Sequence, residues 1–117
     1  MAGPVIRRGE VWWVTFHDAV GGEIRKTRPS IVVSNDRSND LLNRVQVVAL
    51  TTKVDKVFPG KTLVEVEGQN RKEIASQLHT VAKSRCVSCL GRINDDNMAR
   101  VENAILFQLG LLSRSHR

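Results

Sequence analysis

GGEIRKTRPSIVVSND, residues 21–36, carries the chain from a glycine-rich basic loop through Arg28-Pro29 into a β-branched run. Pro29 disfavours the helical region for the residue before it, so the backbone is extended at Arg28, and Ile31, Val32 and Val33 pack best on a pleated, buried surface. A strand over residues 30–35 follows. Arg28 then stands at a strand mouth beside a rigid neighbour, where its planar, permanently charged guanidinium suits a phosphodiester. An ordinary surface arginine in a loop is the competing reading.

Strand patterns continue on both sides of this stretch. VQVVAL at 45–50 is a second near-continuous apolar run suited to a central strand, and GEVWWVTF at 9–16 alternates and is rich in β-formers. TLVEVE at 62–67 alternates as a half-exposed strand; IASQLHTV at 74–81 and a shorter segment at 87–93 complete the set. One helix is expected, starting after Asn94, whose side chain can cap it, with Asp95 and Asp96 in the first turn, and running to about Leu112. Met98, Val101, Ile105, Leu109 and Leu112 form its apolar stripe, and Leu106 and Phe107 widen that stripe as extra core or as a subunit contact. Trp12 and Trp13, adjacent in a strand, should face opposite ways, one into the core. Nothing reads as a linker or repeat, so residues 1–117 form one domain: mainly β (α+β), a small curled sheet or barrel with a C-terminal α-helix.

Composition sets the class of partner. Eighteen Lys and Arg against twelve Asp and Glu give a net charge of +6 and an isoelectric point near 10.0, which favours a polyanion, nucleic acid first. The opening MAGPVIRRGE holds no apolar run of signal-peptide type, and no later stretch reaches the ~20 apolar residues of a membrane span, so a cytoplasmic protein is expected. Cys86 and Cys89, spaced CVSC, are the only cysteines. A zinc site wants four ligands, and His17, His79 and His116 are far apart without ligand spacing, so the cysteines read as ordinary small residues more readily than as metal ligands or a disulfide.

The chemistry is expected at strand ends. After VQVVAL the chain reads Thr51-Thr52-Lys53, which brings two hydroxyls and an ammonium out of the sheet together, although threonines there are also common structural residues. Asp36, Asp40, Asp55, Asp95 and Asp96 are scattered over loops and a helix cap, unlike a two-metal carboxylate cluster. There is no phosphate loop of the nucleotide-hydrolase type, no dinucleotide fingerprint and no serine nucleophile elbow. An enzyme of this kind acting on nucleic acid is best served by a nucleophile in its substrate. RNA has one, the 2′-hydroxyl, leaving the protein to orient the strand, move protons and stabilise pentavalent charge. Arg28 suits the last of these roles, while His17 and His79 are alternative acid–base candidates or histidines without catalytic duty.

Taken in order, RGEVWWVTF, GGEIRKTRPSIVVSND, VQVVALTT, FPGKTLVEV, SQLHTVAKSR and the helix from DDNMARV to LGLL resemble the MazF/PemK family of toxin endoribonucleases over nearly the whole chain. The resemblance implies a small SH3-like barrel of the CcdB-PemK type and a cytoplasmic, homodimeric toxin. Such a toxin cuts single-stranded RNA at short sequences without metal or other cofactor, giving 2′,3′-cyclic phosphate and 5′-hydroxyl ends. A cognate MazE-like antitoxin with an acidic, partly disordered tail would neutralise it. Arg28 and Thr51 fall on the family's two main catalytic positions, Glu23 on a loop residue that contacts RNA, Gln77 on a base-reading position and Phe58 on an apolar position beside the substrate.

Ser76 departs from the carboxylate that related toxins often place before the glutamine, and the loop from His17 to Thr27 has its own charge pattern, so the cleavage sequence does not carry over. Lys53, Lys56, Lys61 and Arg25 either line the RNA path or are solvated surface charges. Two rival functions stand beside the ribonuclease. A CcdB-like gyrase poison shares the fold, but such toxins end in a tryptophan-containing tail and this chain ends LLSRSHR. A noncatalytic nucleic-acid-binding barrel would have only five aromatic residues from which to build a stacking surface.

Overall fold

In the computed structural model, residues 3–16, 26–51, 63–66 and 68–112 are described. They form six strands, β1 (Glu10–Phe16), β2 (Lys26–Val32), β3 (Arg44–Thr51), β4 (Leu63–Val66), β5 (Gln69–Ala82) and β6 (Cys86–Arg92), with helices α1 (Asp36–Leu41) and α2 (Asp95–Gln108). A 3₁₀ turn at Lys83–Arg85 links β5 to β6. All strands join one antiparallel sheet in the order β4-β5-β3-β2-β1-β6. The mainly-β architecture with a C-terminal helix is the one expected.

The sheet is curled. On a flat sheet β1 and β5, with β2 and β3 between them, would lie roughly 14 Å apart; yet the rings of Phe16 on β1 and His79 on β5 meet with centroids 4.9 Å apart. Bulges in the β1–β6 pairing, between Val11 and Trp12 and between Trp13 and Val14, add the twist that such closure requires. Alternation sends Trp12, Val14, Phe16, Val32, Val45, Val47 and Ala49 into one cluster, closed by Ile6, Val81 and Cys86. Val11, Ile31 and Leu50 point the other way, into a second cluster with Val64 and Val66 of β4, with Ile93, and with Met98 and Val101 of α2. Trp12 is buried and Trp13 half-exposed, as their opposite directions require.

The C-terminal helix starts where expected and stops sooner. Asn94 Oδ1 accepts from the Asn97 amide at 2.8 Å, capping α2. At the other end Gly110 turns left-handed at φ 74°, and the Leu111 and Gly110 amides donate back to the Leu106 and Phe107 carbonyls at 2.8 and 3.1 Å. That pair of bonds ends the helix at Gln108 rather than near Leu112. Met98, Val101 and Ala104 are buried and Ile105 packs against the second cluster, but Leu109 is 55% exposed, so the stripe does not extend to it. Phe107, 44% exposed, is not extra core.

Between β2 and β3 the chain forms α1, which the sequence patterns did not indicate. The strand expected at 30–35 lies at Lys26–Val32, and Asp36 and Asp40 belong to this helix instead of a loop. Asn35 caps it by accepting from the Ser38 amide at 2.9 Å, and the buried Asn39 ties it down by accepting from Ser34 Oγ and donating to the Ser34 carbonyl. Gly9, at φ 90°, makes the tight entry to β1, donating to the Val32 carbonyl at 2.9 Å and accepting from the Ile93 amide at 3.0 Å.

Asp36 links α1 to the N-terminal segment. The Arg8 amide donates to its Oδ1 at 2.7 Å and holds the carboxyl below the ordinary carboxylate range, with lesser help from Asn39, Arg7 and Arg92 and some opposition from desolvation. Because the folded value is the lower one, the ionised carboxylate stabilises the fold at neutral pH, and that contribution is lost as pH falls through about 4 and below. Asp36→Asn should lower the urea midpoint at neutral pH and make its acid decline shallower. An acid decline identical to that of the parent chain would contradict this linkage.

Candidate active site

Arg28 is the third residue of β2, not a loop residue before the strand. The reason lies in the pairing with β1, which continues past Pro29 to Lys26, so that Trp13 faces Pro29 and Val14 faces Arg28. On its other side β2 pairs with β3 only from Ser30 onward, with Ser30 opposite Ala49 and Val32 opposite Val47. Pro29 has no N–H to donate and stands where that ladder ends. Arg28 lies two residues beyond Ser30, and Thr51, the last residue of β3, two beyond Ala49, so both stand just past the end of that ladder. Both share the face of Val14, Ser30 and Ala49, and both are half-buried at the mouth of the curled sheet.

The third side of this mouth is an irregular stretch of β5. Val48 pairs with Leu78, but the next residue, Ala49, pairs with Ile74, so Ala75, Ser76 and Gln77 form a bulge beside Ala49. Bulges of this kind locally end regular pairing and redirect the chain, and they are over-represented near binding sites. The backbone of Gln77 thereby leaves the regular ladder beside Val48 and Ala49, two to three residues along β3 from Thr51. Lys72, which sequence reasoning passed over, lies opposite Thr51 in the register. No spacing in the sequence points to it, because its place depends on the bulge. Glu23, Lys53 and Phe58 lie outside the described residues, as do His17, Arg25, Lys56 and Lys61.

Elsewhere the chemistry is quiet. His79 lies opposite Val47, four residues along β3 from Thr51, and its ring is tilted by 56° against that of Phe16. Cys86 is a buried free thiol whose pKa is pushed up to about 11, chiefly by burial, so at neutral pH it stays protonated and unreactive. Cys89 is an exposed free thiol, also raised, first by desolvation. Among the described residues no group of three or more His, Cys, Asp or Glu is placed to hold a metal ion, and no helix is long and apolar enough to cross a membrane. The arrangement offers a half-buried guanidinium and a hydroxyl at neighbouring strand ends, with an irregular backbone stretch nearby, which suits the binding and charge stabilisation of a phosphodiester.

Comparison with known proteins identifies the family. Residues 7–109 match the family described as PemK-like, MazF-like toxin of type II toxin-antitoxin system. The endoribonuclease MazF9 of Mycobacterium tuberculosis is 32% identical over 118 residues, covering 93% of this chain and 100% of that protein. Endoribonuclease MazF of Staphylococcus saprophyticus is 32% identical over 121 residues, covering 97% and 99%. A mycobacterial endoribonuclease solved in complex with its cognate antitoxin superposes with a TM-score of 0.78 at 22% identity, covering 92% of this chain and 98% of that one, and shares the fold.

Proposed function

We propose, since the chain belongs to the PemK-like, MazF-like toxins of type II toxin–antitoxin systems, that it is an endoribonuclease toxin working at the mouth framed by Arg28 and Thr51. The observation that supports this reading is the β2–β3 ladder, which stops at Ser30 and Ala49 with Arg28 and Thr51 each two residues beyond its end. Single-stranded RNA enters with its scissile phosphate at that pair. The 2′-oxygen attacks phosphorus, the bond to the 5′-oxygen breaks, and the products are a 2′,3′-cyclic phosphate and a 5′-hydroxyl. Arg28, which does not deprotonate, stabilises the charge that gathers on the non-bridging oxygens, and the Thr51 hydroxyl donates to one of them.

Gln77 on the β5 bulge reads a neighbouring base, while Glu23, Lys53 and Phe58 complete the RNA path. The net charge of +6 draws the polyanion in. The toxin is a cytoplasmic homodimer of a single domain per chain, silenced by a cognate antitoxin whose acidic tail complements the same basic surface.

The test is incubation of the purified protein with a long single-stranded RNA in EDTA, with mapping of cut positions and end groups. Discrete cuts bearing cyclic phosphate are expected. No cutting of several RNAs by well-folded protein would sink the reading and turn attention to inhibition of gyrase.

A further inference from the structure

We infer that the cleft between β5 and the 3₁₀ turn, flanked by His79 and Arg85, is a nucleotide subsite that holds an unpaired base against His79 and its phosphate on Arg85. This rests on the ribonuclease reading and assigns the site a second point of grip on the RNA. The cleft has a volume of about 350 Å³ and is lined by Phe16, His79, Thr80, Val81, Ala82 and Arg85. That volume falls within the range of small-ligand sites, and the lining mixes apolar side chains with a hydroxyl, one heteroaromatic ring and one cation.

The ring is held in place. Phe16 is buried and its ring centroid lies 4.9 Å from that of His79 at an angle of 56°, so the imidazole is oriented by a core residue instead of sampling solvent. A flat face fixed in advance costs little ordering entropy when a base stacks on it. Arg85, partly buried at the end of the 3₁₀ turn, has no ion pair or hydrogen bond among the described residues. An oriented ring beside a guanidinium unpaired among the described residues is a combination by which single-stranded nucleic acid is gripped, through stacking and phosphate contact without base-edge readout.

The cleft also lies in the right direction. His79 pairs with Val47, and Val47, Ala49 and Thr51 alternate onto one face of β3, so the ring and the cleavage pair share the concave side of the sheet. Four residues of strand separate them, about 13 Å. His79 is therefore too far from Thr51 to exchange protons at the same phosphate, and near enough to hold a flanking nucleotide. This assigns it a positioning role in place of the acid–base role considered from the sequence.

The experiment measures binding of a single-stranded RNA that carries the mapped cut sequence, with a 2′-deoxy nucleotide in place of the nucleophile. Single abasic substitutions are placed on either side of the cut. His79→Ala is expected to weaken binding on the order of tenfold, and His79→Phe to restore it to within about twofold. Saturating turnover on cleavable RNA should stay within about twofold of the parent in both variants, with the cut position unchanged. One abasic position should weaken the parent protein and leave His79→Ala unaffected. Arg85→Ala should reduce the slope of log affinity against log salt by about 0.7, the share of one phosphate contact on a single strand. Parental affinity and salt slope in both alanine variants, with parental melting, would overturn the subsite. Should His79→Ala fail to fold, the Arg85→Ala salt slope decides alone. A parent protein that binds and cuts no RNA would instead overturn the ribonuclease reading, and the subsite with it.

Discussion

Arg28→Ala should lower RNA cleavage by about a thousandfold or more, the loss typical when a preorganised group that stabilises transition-state charge is removed. The fold should survive. Arg28 is half-buried near the start of β2, and its strand position is fixed by backbone pairing with Val14 and by Pro29, neither of which needs the side chain. Alanine fits that extended backbone. The loss should appear in the rate at saturating RNA and only weakly in binding, because the full charge on the phosphorane oxygens exists only in the transition state. Arg28→Lys, keeping a charge but losing the planar two-donor fork, should recover part of the rate and not all of it. Thr51→Ala removes one hydroxyl and should cost less than Arg28→Ala. Single-turnover cleavage under excess enzyme, read beside far-ultraviolet circular dichroism and urea unfolding, separates chemistry from folding. Substantial turnover in a well-folded Arg28→Ala protein would move the chemistry away from the β2–β3 mouth, with His17 next to be tested.

Side-chain periodicity revealed the sheet because a strand that buries one or both faces must write that fact into its composition. VQVVAL and IVV could hardly be anything else, and both are central strands. The edges of elements were harder to read. GGEIRKTRP looks like a loop throughout, yet β1 supplies partners back to Lys26, so tertiary pairing makes a strand of residues whose own preferences are weak. Helix α1 spans six residues, too few to show a period, and its cap Asn35 reads equally well as a turn residue. The early end of α2 is written in Gly110, whose left-handed backbone stops the helix, although the flanking LGLL continues the apolar pattern past it.

The site was legible as residue types and illegible as an arrangement. Arg28 and Thr51 were marked by charge, by a neighbouring proline and by the end of an apolar run, but their shared place just past the end of one ladder depends on which strands pair and in what register. The bulge at Ala75–Gln77 has no composition of its own, and without it Lys72 would not lie opposite Thr51. The Phe16–His79 contact depends on the curl of the whole sheet, which no local pattern encodes.

Leu50→Ala should be the most destabilising of the substitutions considered, costing about 3–4 kcal/mol through lost transfer energy and an unfilled cavity. Leu50 is fully buried and belongs to the cluster in which Val11, Ile31, Val64, Val66, Met98 and Val101 bring β1, β2, β4 and α2 together. Edge strand β4 and the helix both depend on that cluster, so no single neighbour can move in to fill the space without opening another contact. A domain of this length has a total stability of roughly 6–15 kcal/mol, so the substitution removes a large fraction of it, and the melting temperature should fall by about 10 °C or more. Leu50→Met, similar in volume, should cost less than about 1.5 kcal/mol. Urea titration of the three proteins gives the values directly, and a cost below about 1 kcal/mol for the alanine variant would mean that the space beneath α2 closes on its own. Leu50 precedes Thr51 and points to the opposite face of β3, so cleavage by Leu50→Ala, assayed where it remains folded, should stay close to that of the parent. Adjacent residues of one strand are thus expected to carry separable duties: Leu50 holds the sheet to the helix, and Thr51, on the proposed mechanism, meets the phosphate.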